Sequence, residues 1–212
     1  MKKNQRVIRQ ILYWMFEQNK RFMSQKAISE ACGVSLGTVN PIINRLERLG
    51  GVEKKPLGFS VSDVGRVLMY WANTRDLEAD VVYRASSHLP ARDLEKSLPP
   101  GSILTAFSGF RAKLGSVPVE YREVYVYANP AEIKRTFPPK RGRRDNVIVL
   151  KPDEHLAKLS KDGVAPIGQI YVDLWQLGGP AKIFVDELSS HMRLAEVEAI
   201  KGVIRRTMES SG

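Results

Sequence analysis

The order of signals between Phe22 and Ser60 constrains the fold more than any other feature of the chain. Ser24 to Cys32 reads as a short helix, with Ser24 placed to cap its free backbone N–H groups. Gly33, Val34 and Ser35 make a tight turn. Leu36 to Leu49 reads as a second helix, closed by Gly50 and Gly51, with apolar residues at 36, 39, 42, 43, 46 and 49 forming one stripe. The opposite side carries Thr38, Asn40, Asn44, Arg45 and Arg48. Val52 to Val61 then reads as a two-stranded hairpin with Lys54 and Lys55 near its tip. Helix, glycine turn, polar-faced helix and basic hairpin, in that order, describe a winged helix-turn-helix. Ser35, Thr38, Asn40, Asn44, Arg45 and Arg48 are of the types that reach base edges and phosphates in a major groove. With Lys54 and Lys55 they are the candidate DNA-binding residues. The alternative use of such a block is protein contact alone.

Pro41 conflicts with this pattern. A proline in a helix interior removes a hydrogen bond, at a cost of roughly 3 kcal/mol. The expectation is a kinked or partly opened first turn in the second helix. Ahead of the block, Lys2 to Lys20 reads as a helix with Val7, Ile8, Ile11, Leu12, Met15 and Phe16 on one face. After it, Ser62 to Arg75 reads as a helix with Val64, Val67, Leu68 and Trp71 inward, continuing through Asp76 to Tyr83 as a bridge. Ser86 to Pro100, with three prolines, reads as a linker or a loop-rich start to a second domain. The expected boundary lies near residue 80, giving a winged helix at 1–80 and a mixed domain at 81–212.

The 212 residues suffice for two modest domains. The net charge is +10, and its distribution is informative. Residues 1–76 carry 13 Lys and Arg against 6 Asp and Glu, while residues 77–212 carry 20 against 17. The excess therefore concentrates on the block that would meet phosphate. No apolar run is long enough to span a bilayer, and the start lacks the pattern of a secretory signal. The lone Cys32 excludes an internal disulfide and a thiolate zinc cluster, and reads as a small core residue. These features place the chain in the cytoplasm, with no membrane partner.

The second half alternates strand-like and helix-like segments, so the fold class expected is α+β: an N-terminal winged helix followed by a mixed α/β domain. Ser102 to Phe107 and Val119 to Tyr127 are rich in β-branched and aromatic residues. Asn146 to Leu150 reads as a buried strand. Asn129, Pro130 and Glu132 form a helix start. Pro152 to Leu159 reads as a short helix. Pro166 to Leu177 has apolar residues at helical spacing and stops at Gly178, and Pro180 opens a further helix through Met192. Leu194 to Met208 is amphipathic.

Catalytic chemistry finds little support. His88, His155 and His191 are scattered, without partners at metal spacing. There is no P-loop. Gly101 and Ser102 resemble a nucleotidyltransferase start, but no carboxylate pair of the kind that binds metal follows. Asp153 and Glu154 resemble a nuclease core without its lysine. The expectation is a non-enzyme with no cofactor and no metal. Lys134, Arg135, Lys140, Arg141, Arg143 and Arg144 put six cations into eleven residues with two prolines and a glycine. That segment reads as an exposed loop, either simply solvated or in contact with nucleic acid or an acidic partner.

The stretch from Pro166 to Leu188, with Gln169, Tyr171, Asp173, Leu174 and Trp175 before the glycine break at Gly178 and Gly179, resembles the C-terminal signature of the AbiEi family. Tyr70 to Leu77 and Glu123 to Tyr127 are similar as well, so the resemblance covers most of the chain. AbiEi proteins are antitoxins of two-gene abortive-infection systems. The resemblance implies a repressor that binds its own operator through the winged helix. It also implies a C-terminal domain that counteracts a nucleotidyltransferase-like toxin. A homodimer is compatible with this. Two alternatives stay open: a ligand-responsive regulator with a C-terminal sensor domain, and a nuclease or nucleotidyltransferase guided by the winged helix.

Overall fold

The computed structural model describes residues 3–139 and 144–192. Helix α1, Lys3–Glu17, buries Val7, Ile8, Ile11, Leu12 and Met15, the stripe its periodicity demands. Helix α2, Gln25–Cys32, starts where Ser24 Oγ accepts a hydrogen bond from the Ala27 N–H at 3.1 Å. It ends at Gly33, whose φ of 62° is the left-handed conformation that glycine adopts without strain. Helix α3, Leu36–Arg48, buries Val39, Ile42, Ile43 and Leu46. The buried stripe is narrower than expected. Leu36 is 50 % exposed, and turns into the groove between α3 and the hairpin.

Pro41 does not open the helix. Helix α3 runs unbroken through it, because the hydrogen bond that proline removes is the one to the Gly37 carbonyl, and Gly37 and Pro41 are both exposed. Water can satisfy that carbonyl, which lowers the cost below that of a buried break.

The wing has three strands rather than two. Strands β2, Val52–Lys55, and β3, Gly58–Val61, form the expected hairpin, and β1, Phe22–Met23, adds to the free edge of β3. At two residues, β1 is too short to show a period. Gly58 is the one position in the wing where a side chain is excluded, since a Cβ there would collide with the Met23 carbonyl oxygen.

Helix α4, Val64–Thr74, buries Val64, Val67, Leu68 and Trp71 as its spacing requires. It does not continue to residue 83. Arg75 is extended, the Asp76 side chain accepts from the Ala79 N–H at 3.0 Å, and a single 3-10 turn leads into strand β4, Val81–Ala85. The β-branched and aromatic run at Val81, Val82 and Tyr83 favours the strand. Helix α5, Ala91–Lys96, occupies part of the stretch expected to be a linker and is anchored by the fully buried Leu94.

The second sheet has the order β4-β7-β6-β5. Strand β5 is Ile103–Thr105, β6 is Val124–Tyr127 and β7 is Val147–Leu150. Strands β6 and β7 are parallel; the outer pairs are antiparallel. Both faces are covered, which explains the continuous apolar runs in β6 and β7. Tyr125, Tyr127, Ile148 and Leu150 join one core, and Val124, Val126, Val147 and Val149 join another with Leu94 and Ile133. Helix α6, Ala106–Leu114, takes over directly from β5. Helix α7, Pro130–Thr136, begins as expected, with Asn129 Oδ1 accepting from the Ala131 N–H at 3.0 Å. Helices α8, Glu154–Leu159, and α9, Ile167–Leu177, follow, and residues 182–192 are helical. The amphipathic tail from Leu194 lies outside the described residues.

One hydrophobic core includes residues from both sides of residue 80. The larger hydrophobic cluster runs from Val7 and Trp71 through Phe107 and Tyr127 to Phe184 and Met192. Helix α9 packs on both α1 and α4. At Gly168 a Cβ would meet Leu12 Cβ at 3.1 Å, so the glycine lets α9 approach α1 closely.

A buried polar network crosses the same junction. Asp173, fully buried on α9, accepts from Arg75 Nε at 3.1 Å and Gln169 Nε2 at 2.9 Å through one oxygen. Its other oxygen accepts from the Thr105 and Tyr127 hydroxyls, each at 2.7 Å. Gln169 Oε1 accepts from Arg9 Nε at 2.9 Å. Arg9 in turn grips both oxygens of Asp153, at 3.0 and 2.9 Å. Arg75 also reaches Asp80 Oδ2 at 2.6 Å. Arg9 on α1 and Arg75 just after α4 are thus neutralised by Asp153, Asp173 and Asp80, as buried charges must be.

Candidate nucleic-acid interface

The exposed surface of α3 divides into three stripes. Leu36, Asn40 and Glu47 lie toward the wing, where Leu36, Gly37 and Asn40 share a groove with Lys54, Lys55, Leu57 and Gly58 of the hairpin and with Ser24, Gln25 and Lys26 of α2. Gly37, Pro41 and Arg48 point outward, all exposed. Thr38 and Arg45 form the far flank. Among the expected residues, Ser35, Asn40, Arg45, Arg48, Lys54 and Lys55 are exposed, and Thr38 and Asn44 are half-buried. Ser35 Oγ and Thr38 Oγ1 are 3.2 Å apart and satisfy each other at the start of the helix. Arg48 Nε donates to its own helix at the Asn44 carbonyl, at 3.4 Å. The face lies where helical spacing puts it. The structure adds that Asn40 and the wing lysines line one groove, with Arg45 and Arg48 outside it.

Two side chains of this face are not among the expected ones. Glu47 pairs with Lys54 at 2.8 Å, and Glu53 pairs with Lys55 at 3.4 Å. The wing lysines are not the free point charges that the sequence suggests. Helical spacing carries the signal for Glu47, seven residues after Asn40. Leu57 at the wing tip is 93 % exposed and takes φ of 69°, a conformation usually left to glycine or asparagine in such a turn. Preceded by Pro56, it closes the hairpin where Lys55 pairs with Gly58.

The ion pair has a testable consequence. Glu47→Gln removes a negative charge beside the groove between α3 and the wing and frees Lys54. Affinity for specific and random duplex should rise together, with the slope of log affinity against log salt steeper by about one unit. An unchanged slope would place Lys54 away from phosphate. Both partners are exposed, so stability should hardly change.

The cationic segment of the second half starts in a helix. Lys134 and Arg135 sit in the last turn of α7, exposed, where cations suit the helix dipole. Lys140, Arg141 and Arg143 lie outside the described residues. Arg144 pairs with Glu123 at 3.1 Å. None of the described members lines the groove at α3. Arg144 instead borders a cleft of about 1370 Å³ with Arg84, Arg111, Tyr121, Tyr125 and Phe107.

Of the two carboxylates weighed for catalysis, Asp153 is tied into the fold and Glu154 is exposed. Burial disfavours the charge on Asp153, but the hydrogen bonds and charge of Arg9, with the Leu156 N–H and Arg6, outweigh it and hold the carboxyl at about 2. Asp153 also caps α8. His155 accepts from Arg9 at Nδ1, 3.3 Å away, so its Nε2 carries the proton given to Gln10 Oε1 at 2.8 Å. Burial and the Arg9 charge push it down to about 4. Of the residues carrying the family resemblance, Gln169 and Asp173 belong to the buried junction. Tyr171 stacks on Trp175 with ring centroids 6.2 Å apart.

No helix among the described residues is long and apolar enough to cross a membrane. No curated protein and no solved structure matches the chain. A family model does match residues 7–53, and its description is winged helix-turn-helix DNA-binding. That match starts within α1 and runs through α2 and α3 into β2, covering all of α3 and ending just before Lys54. The chain carries a winged helix-turn-helix DNA-binding domain, followed by a mixed α/β region.

Proposed function

We propose that this chain is a cytoplasmic transcriptional repressor without enzyme activity. It binds an operator duplex through α3 and the wing, and acts as an antitoxin of the AbiEi kind that autoregulates its operon and counteracts a nucleotidyltransferase-like toxin. The observation that carries the DNA half is the exposed face of α3, with Asn40, Arg45 and Arg48 beside a lysine-bearing wing. The antitoxin half rests on the resemblance at Gln169 to Leu188. Because Gln169 and Asp173 are buried between the two halves, that resemblance speaks for a shared fold rather than for a toxin contact at those two residues.

The test is a reporter driven by the promoter upstream of the chain's own gene. Wild type should repress it, and Arg45→Ala with Arg48→Ala should release it. Removing an arginine that touches a base should cost about 1–3 kcal/mol, and removing one that touches phosphate should weaken all sequences alike. Full repression by the double variant would overturn the placement of the recognition surface. For the antitoxin half, co-expression with the product of the neighbouring gene should rescue growth. Failure to rescue from a toxic neighbour would remove that half and leave the repressor.

One observation favours the ligand-responsive alternative. The cleft in the second half sets Phe107, Tyr121 and Tyr125 among many charged side chains, with Arg84, Arg92 and Arg111 alongside Asp93, Glu120 and Glu123, a concave site that suits a charged small molecule. Operator affinity that shifts on adding a cell extract freed of macromolecules would favour this reading.

A further inference from the structure

The first two turns of α3 have a composition that discriminates between base pairs. In a helix-turn-helix the N-terminal residues of the recognition helix reach the base edges, and those further along meet the backbone. From Leu36 to Ile43 α3 contains no lysine or arginine; its cations, Arg45 and Arg48, come later. What these turns expose is Leu36, Gly37, Asn40 and Pro41. Proline offers no N–H, glycine has no side chain and the half-buried Thr38 hydroxyl is satisfied by Ser35, so Asn40 is the polar reader and Leu36 the apolar one. They lie one helical turn apart on the stripe that lines the groove.

The chemistry of the pair is specific. A carboxamide presents one donor and one acceptor side by side, which matches the N6 donor and N7 acceptor of adenine in the major groove. Guanine presents two acceptors there and calls for a donor fork such as arginine. Leu36, half exposed beside the groove, suits the C5 methyl of thymine. The lysines that line the groove with Asn40 are Lys54 and Lys55, already held by Glu47 and Glu53, and Lys26 at the start of α2, where a point charge suits a phosphate. Gly37 adds an independent observation. A Cβ there would meet nothing nearer than Ser35 Oγ at 3.6 Å, so the fold does not require glycine. Its effect is to leave the α3 backbone bare between the two readers, which lets the helix seat close to the bases.

Resting on the operator-binding reading, we infer that α3 reads an A·T step, with Asn40 on adenine and Leu36 on a neighbouring thymine methyl. The full-length chain is used to select binding sites from a randomised duplex pool at fixed salt, and the selected duplex is then altered atom by atom. Replacing the adenine by 7-deazaadenine, which lacks the N7 acceptor, should weaken binding about ten-fold in wild type and not in Asn40→Ala. Replacing the thymine by deoxyuridine, which lacks the methyl, should weaken binding about three-fold in wild type and not in Leu36→Ala. Both side chains are exposed, so both variants should melt like wild type. A selected site in which Asn40→Ala relaxes a G·C preference, or in which neither variant relaxes any position, would overturn the assignment. If the chain retains no duplex at all, the operator-binding reading fails and this inference with it.

Discussion

Replacing Asp173 by alanine is expected to cost about 3–5 kcal/mol of folding stability, the range for breaking a buried ion pair from one side. Asp173 is fully buried and accepts four hydrogen bonds, from Arg75, Gln169, Thr105 and Tyr127. Alanine would leave Arg75 with Asp80 as its remaining carboxylate and would orphan two hydroxyls in the core. Asp173→Asn should cost less. The Thr105 hydroxyl can rotate to accept from its amide nitrogen and the oxygen stays toward Arg75 and Gln169, while the Tyr127 hydroxyl, which already accepts from Arg75 and Gln169, loses its acceptor. Urea unfolding of the full chain would measure both. A loss below about 1 kcal/mol for the alanine variant would mean the network is dispensable. Because one core spans the junction, wild type should unfold in a single transition seen alike by probes in both halves.

Acid should weaken the same junction in two stages. His155 has its ordinary pKa near 6.5 in the unfolded chain and about 4 in the folded one. The unfolded chain therefore binds the extra proton between these values. The stability His155 contributes is complete above about pH 6.5 and is lost as pH falls toward 4. Asp153 is held at about 2 against an ordinary 3.8, so its contribution is complete above about pH 4 and is lost on the way down to 2. Each stage is worth roughly 2–3 kcal/mol. Denaturant midpoints at pH 7, 5 and 4 should fall in wild type and stay nearly level over that window in His155→Gln. A variant that tracks wild type would show that another group causes the acid loss.

The N-terminal third is legible because its signals are local. The Ser24 cap, the Gly33 turn and the stripe at Val39, Ile42, Ile43 and Leu46 each follow from side chains a few residues apart. Elsewhere a partner distant in sequence decides. Val81 to Ala85 is a strand because β7 pairs with it, and Phe22–Met23 is one because β3 does. The cost of Pro41 is not local either, since it depends on whether the Gly37 carbonyl meets water. The same holds at the candidate site. Helical spacing locates Asn40, Arg45 and Arg48, whereas the Glu47–Lys54 pair needs the fold of the wing. Asp173 and Gln169 stand out only through a family resemblance. Their partners Arg9 and Arg75 are too far away in sequence to be paired by inspection.

The central claim is that α3 and the wing, not the second half, form the DNA surface. It is tested by titrating the full-length chain into a labelled duplex at fixed salt, with two charge-reversed variants alongside. Arg45→Glu with Arg48→Glu is expected to lower affinity more than 100-fold, each position replacing an attraction to DNA by a repulsion of about 1–2 kcal/mol or more. Arg92→Glu with Arg122→Glu changes the same formal charge at exposed positions of the second half, and should stay within about five-fold of wild type. Equal losses in the two variants, or a larger loss in the second, would contradict the account.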